Sequence, residues 1–125
     1  MSPIFAVAIG GAFGSVCRFM VGQALSSFER FPLGTLSVNI LGCFLIGVAH
    51  VALPVAGLNP TARAAIMIGF LGGFTTFSSF GLDAFRLLED GRYMNAATYL
   101  LASNLVGLAA VCFGIWGARM VLEAN

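Results

Sequence analysis

The chain has 125 residues, of which 59% are hydrophobic and 9% charged, with a formal net charge of +1, a mean hydropathy of +0.98 and no lysine. A soluble domain carries about 25% charged residues, so this composition excludes an ordinary water-soluble fold and puts the chain in a lipid bilayer. It also excludes nucleic acid as a partner, since there is no basic patch to displace counterions from a phosphate backbone.

A hydrocarbon core about 30 Å thick takes roughly 20 apolar residues of helix to cross. Four apolar segments of that length follow one another, at about residues 4–25, 33–55, 62–88 and 94–122. They predict an all-α integral membrane protein with four transmembrane helices, forming a single domain over residues 1–125. The charges gather at the segment ends: Glu29 and Arg30, then Arg63, then Arg86, Glu89, Asp90 and Arg92, then Arg119 and Glu123. Arg18 and Asp83 are the exceptions.

The first segment lacks a cationic leader and a cleavage site, so it is expected to be retained as a helix. It carries Gly10-x3-Gly14, a spacing of small residues that lets helices approach closely in lipid. Arg18, near its C-terminal end, has two readings: a side chain snorkelling to the interface, or an attractant for anions at a vestibule.

Pro32 and Leu53-Pro54 mark where the second helix starts and stops. Within it, Gly34-Thr35-Leu36-Ser37-Val38-Asn39 puts a side-chain amide several residues into an apolar span. Burying that amide unpaired costs a few kcal/mol, so it has a partner: a carbonyl on a neighbouring helix, or a transiently bound anion. His50 reads as interfacial. Asn59-Pro60 then makes a turn and a helix start.

The third segment holds Gly69-Phe70-Leu71-Gly72-Gly73-Phe74-Thr75-Thr76-Phe77-Ser78-Ser79-Phe80-Gly81. Adjacent glycines weaken a helix by about 1 kcal/mol each relative to Ala, and the hydroxyls that follow can bond backbone groups freed by a break. A broken helix with free carbonyls near the midplane is therefore expected. Such backbone survives in a membrane only when buried in protein or lining a wet cavity. It reads either as a cation site or as a packing kink satisfied by hydroxyls. Phe77 and Phe80 share one helical face, as core packing or as ring edges presented to an anion. Asp83 follows within about a turn, and Asp90-Gly91 closes the segment.

In the fourth segment Tyr99, Ser103 and Gly107 recur every fourth residue, which places two hydroxyls on one face. Cys17, Cys43 and Cys112 lie inside apolar segments with no metal-ligand spacing and read as small buried residues. Arg18, Arg30, Arg86 and Arg92 fall on one side of the membrane and Arg63 and Arg119 on the other. So weak a bias is compatible with a single orientation, and equally with insertion in both orientations and pairing of opposed copies about an axis in the membrane plane.

Three strings together resemble the Fluc/CrcB family of fluoride channels: Gly10-Gly11-x2-Gly14-x3-Arg18, Gly34-Thr35-Leu36-x-Val38-Asn39, and Gly69-Phe70-x-Gly72-Gly73-x-Thr75-Thr76-Phe77-Ser78-x-Phe80. The likeness covers the whole chain. It implies a passive, fluoride-selective channel of the prokaryotic plasma membrane, not an enzyme, that exports the anion and relieves fluoride toxicity. It implies an antiparallel dual-topology homodimer with a broken third helix and no organic cofactor. A structural Na⁺ at the dimer centre would be held by the backbone carbonyls of Gly72 and Thr75. The fluoride pathway it implies runs along Asn39, Thr76, Phe77, Phe80, Tyr99 and Ser103, with Arg18 in a vestibule or structural role. Gly107 departs from the family, which often has a third hydroxyl there.

Two other readings compete. A small multidrug exporter has a similar size and layout but needs an embedded carboxylate for proton exchange, and the first segment offers Arg18 and no acid. A purely structural subunit would use its glycines only to pack helices.

Overall fold

A computed structural model of the chain describes residues 2–26 and 30–124. Glu29, expected in the first connection, lies outside them. The described chain is helical, with four stretches long and apolar enough to cross a membrane: Pro3–Ala24, Leu33–Val55, Pro60–Glu89 and Tyr93–Glu123.

Helix α1 spans Pro3–Ala24 and α2 spans Leu33–Val55. Helix α2 ends one residue beyond Leu53-Pro54. Pro54 sits in the last turn, and the chain is turned at Gly57, whose φ of 70° only glycine adopts cheaply. There the Gly57 N–H bonds to Pro54 O at 3.0 Å and the Leu58 N–H to Leu53 O at 3.2 Å, which satisfies carbonyls that would otherwise be orphaned.

The third span starts at Pro60, where the Asn59 side chain accepts from the Ala62 N–H at 2.9 Å and the proline needs no hydrogen-bond acceptor. Helix α3 (Pro60–Ala64) widens into a π-helical stretch over Ala65–Leu71 and returns to a single α turn, α4 (Gly72–Phe74). Thr75 (φ −85°, ψ 161°) and Thr76 (φ −153°, ψ 125°) are extended, so the helix is broken at the expected place. It resumes as α5 (Phe77–Glu89), which ends at Gly91 with the same closure as α2: Gly91 N–H to Leu88 O at 3.0 Å and Arg92 N–H to Leu87 O at 2.9 Å. Helix α6 (Tyr93–Glu123) is the last span.

The short connections make consecutive spans antiparallel, but the closest packing joins alternate ones. Helix α1 lies parallel to residues 65–74 along its small residues. A Cβ built on Gly14 would come within 2.9 Å of Phe74 N, and one on Gly73 within 2.6 Å of Gly11 O. Helix α2 lies parallel to α6, where a Cβ on Gly47 would meet Ile115 N at 3.1 Å and one on Gly114 would meet Val48 N at 3.0 Å. In lipid no hydrophobic drive separates helix from tail, so helices choose the partners against which their backbones can close in. Large apolar side chains such as Phe5, Phe13, Phe19, Leu105, Leu108 and Phe113 point outward, as a bilayer solvent allows.

Candidate ion site at the broken third span

At the break the extended Thr76 can no longer pair with the turn before it, and α2 supplies the missing partner. The Asn39 amide donates through Nδ2 to Thr76 O at 2.9 Å and accepts through Oδ1 from the Thr76 N–H at 2.8 Å. One side chain thus replaces both halves of a backbone bond. Of the two readings for the Asn39 partner, the carbonyl is realised. The second Nδ2 hydrogen has no acceptor among the described residues.

The hydroxyls do local work as well. Thr76 Oγ1 caps α5 by accepting from the Ser79 N–H at 3.2 Å, and it also lies 3.2 Å from Ser79 Oγ. Thr75 Oγ1 donates to Leu71 O at 3.0 Å, and Ser15 Oγ of α1 reaches Gly73 O at 3.5 Å. Among the described residues, no backbone donor outside the helical ladders reaches the carbonyl oxygen of Gly72 or Thr75. Both residues line a cavity of about 290 Å³ together with Asn39, Gly42, Cys43, Thr76 and Phe77. Backbone carbonyls at such a break suit a hard monovalent cation.

The predicted residues therefore fall into two groups. Asn39, Gly72, Thr75, Thr76 and Phe77 surround one cavity. Phe80, Tyr99 and Ser103 belong to the packing between α2, α5 and α6. The Phe80 ring lies 5.3 Å from that of Tyr99, and Phe31 meets Tyr99 edge-on at 5.7 Å. Phe77 and Phe80 link the groups at 5.5 Å, yet their settings differ: Phe80 is 8% exposed and Phe77 83%. Tyr99 is fully buried, and among the described residues neither its hydroxyl nor that of Ser103 has a hydrogen-bond partner. Arg18 lines a neighbouring cavity with Ser15, Thr35, Thr76 and Ser79, so Thr76 is shared between the two cavities.

Asp83, the acidic exception inside the third span, has its partner on α2. It accepts from Thr35 Oγ1 at 2.7 Å and lies 4.0 Å from the Arg86 guanidinium. The Tyr99 hydroxyl faces this pair. Two signals point to the pair: Thr35 precedes Asn39 by one helical turn, and an ionisable residue inside a span calls for a partner by default.

Fold and site define a four-span helical membrane protein whose third span is interrupted by extended backbone tied to a side chain of the second. The chain belongs to the CrcB-like family (CrcB-like protein, Camphor Resistance), whose profile matches residues 5–115. It is 44% identical over 123 residues to a protein of Helicobacter pylori (strain HPAG1), covering 94% of each chain. It is 46% identical over 117 residues to one of Helicobacter acinonychis (strain Sheeba), covering 90% of this chain and 91% of the relative. It is 41% identical over 124 residues to one of Geobacter sulfurreducens, covering 97% of this chain and all of the relative. Each of these relatives is named a fluoride-specific ion channel FluC. The chain is accordingly a multi-pass protein of the prokaryotic plasma membrane, in a family of channels and not of enzymes.

Proposed function

We propose that the chain is a fluoride-selective passive channel that exports F⁻ from the cytoplasm and so relieves fluoride toxicity. The observation that carries this reading is the Asn39–Thr76 pair. It holds the break open while leaving one amide hydrogen beside Phe77, Thr75 and Gly72 in a cavity. Fluoride is small and holds its water tightly, so a pore must return hydrogen-bond donors and polarised edges in place of that water. Asn39, Thr76, the ring edges of Phe77 and Phe80, and the hydroxyls of Tyr99 and Ser103 are the groups available, and the likeness to named fluoride channels supports their use. Arg18, in the adjoining cavity, raises the local anion concentration.

In the same reading two copies pair antiparallel about an axis in the membrane plane. The exposed Phe77 beside Gly72 and the weak charge bias between the two membrane faces support this. The carbonyls of Gly72 and Thr75 are the ligands each copy would give to Na⁺, which when bound supplies fixed positive charge at the dimer centre. Proton-coupled export of a cation is less well supported, because Asp83 is engaged by Thr35 and lies near Arg86.

The deciding experiment is anion efflux from liposomes containing the purified protein under a K⁺ diffusion potential. Rapid loss of F⁻ without loss of Cl⁻ is expected. Retention of F⁻ by vesicles containing folded protein would sink the reading.

A further inference from the structure

We infer that the Cys43 thiol is a hydrogen-bond donor on the anion pathway, occupying the step that Gly107 leaves without a side chain. The inference rests on the channel reading above. Helices α2 and α6 run parallel, so residues a turn apart on one face those a turn apart on the other. Thr35 meets Tyr99 at one end of this stretch, and at the other Cys43 Sγ lies 3.5 Å from where a Cβ on Gly107 would be. Between these contacts stand Asn39 on α2 and Ser103 on α6. The α6 stripe therefore presents a hydroxyl, a hydroxyl and then nothing.

Both hydroxyls of this stripe are buried, and neither has a partner within hydrogen-bonding distance among the described residues. A buried hydroxyl left unpaired costs about 1–3 kcal/mol, so a stripe of two calls for a ligand that comes and goes. The position after them is filled from the opposite helix by sulfur. Cys43 also lines the cavity that holds Asn39, Thr75, Thr76 and Phe77, so its thiol borders both the stripe and the cavity. An S–H is a weak donor, but an anion that has shed water is a strong acceptor. Cys17 and Cys112 do not line that cavity.

The test is fluoride efflux from liposomes for wild type, Cys43→Ala, Cys43→Ser and the double variant Cys43→Ala/Gly107→Ser, each checked for a single size-exclusion peak. Loss of one donor to the ion slows efflux about tenfold in Cys43→Ala. Cys43→Ser, which keeps a donor, stays within about twofold of wild type. The double variant recovers, because a serine on Gly107 places a hydroxyl in the room vacated by sulfur. Should Cys43→Ala fail to run as one peak, Cys43→Val keeps the bulk, removes the donor and carries the same expectation. Undiminished efflux from Cys43→Ala, or a loss that neither serine repairs, overturns the inference while the channel reading stands. A wild type that passes no fluoride overturns both.

Discussion

Asn39 and Thr76 are joined in both directions, amide to carbonyl at 2.9 Å and N–H to amide oxygen at 2.8 Å, although they lie on different spans. A single side chain therefore holds the extended backbone in place at membrane depth, where water is not available to do so. Replacing Asn39 by Ala leaves one part-buried N–H and one part-buried carbonyl unpaired, at up to about 1–3 kcal/mol each. The expected outcome is a clear fall in thermal stability in detergent together with loss of fluoride efflux. A variant that loses efflux at undiminished stability would assign Asn39 to the ion alone.

Phe77 and Phe80 separate along a different line. Phe80 is packed against Tyr99 and 8% exposed, so Phe80→Ala opens a cavity in the helix packing and costs about 3–5 kcal/mol. Phe77 is 83% exposed in the single chain, so Phe77→Ala leaves the fold of the chain nearly unchanged. Fluoride efflux is nevertheless expected to fall in both. Denaturation curves measured beside efflux check the pair, and a Phe77→Ala protein that conducts like wild type would remove Phe77 from the pathway.

The glycines predict opposite signs at two places on α6. A Cβ on Gly114 meets the backbone of α2, with Val48 N at 3.0 Å, so Gly114→Ala must push two helices apart and destabilises by about 1–3 kcal/mol. A Cβ on Gly117 meets nothing within 4 Å. Gly117→Ala should be neutral or stabilise by up to about 1 kcal/mol through helix propensity. Thermal unfolding of the two variants in one detergent is the check.

The carbonyls of Gly72 and Thr75 give a prediction about ions. If they hold Na⁺ between two copies, exchanging Na⁺ for a large organic cation such as N-methylglucamine during purification should lower the melting temperature and reduce efflux. Returning Na⁺ should restore both. Equal behaviour in the two salts would leave these carbonyls without a cation.

Much of the fold is legible in local sequence, because each property that reveals it is local. Hydropathy over about twenty residues marks a span, and the paired glycines followed by threonines weaken the helix at the point where Thr75 and Thr76 are extended. Helix ends are legible too, with Asp90-Gly91 closing α5 and Leu53-Pro54 in the last turn of α2, after which Gly57 turns the chain. Of the candidate site, the sequence points to Asn39, Thr75, Thr76 and Phe77 as unusual in an apolar span, and the structure brings all of them to one cavity.

Which groups meet was decided by tertiary structure. The pairing of α1 with residues 65–74 and of α2 with α6 follows from surfaces that fit, glycine against backbone, between segments far apart in sequence. That fit sets the register, and the register decides that Asn39 reaches Thr76, that Thr35 reaches Asp83 and that Cys43 faces Gly107. Composition and periodicity say what each helix can offer to a neighbour. The identity of that neighbour, and the height at which it stands, depend on contacts between two surfaces that no single segment contains.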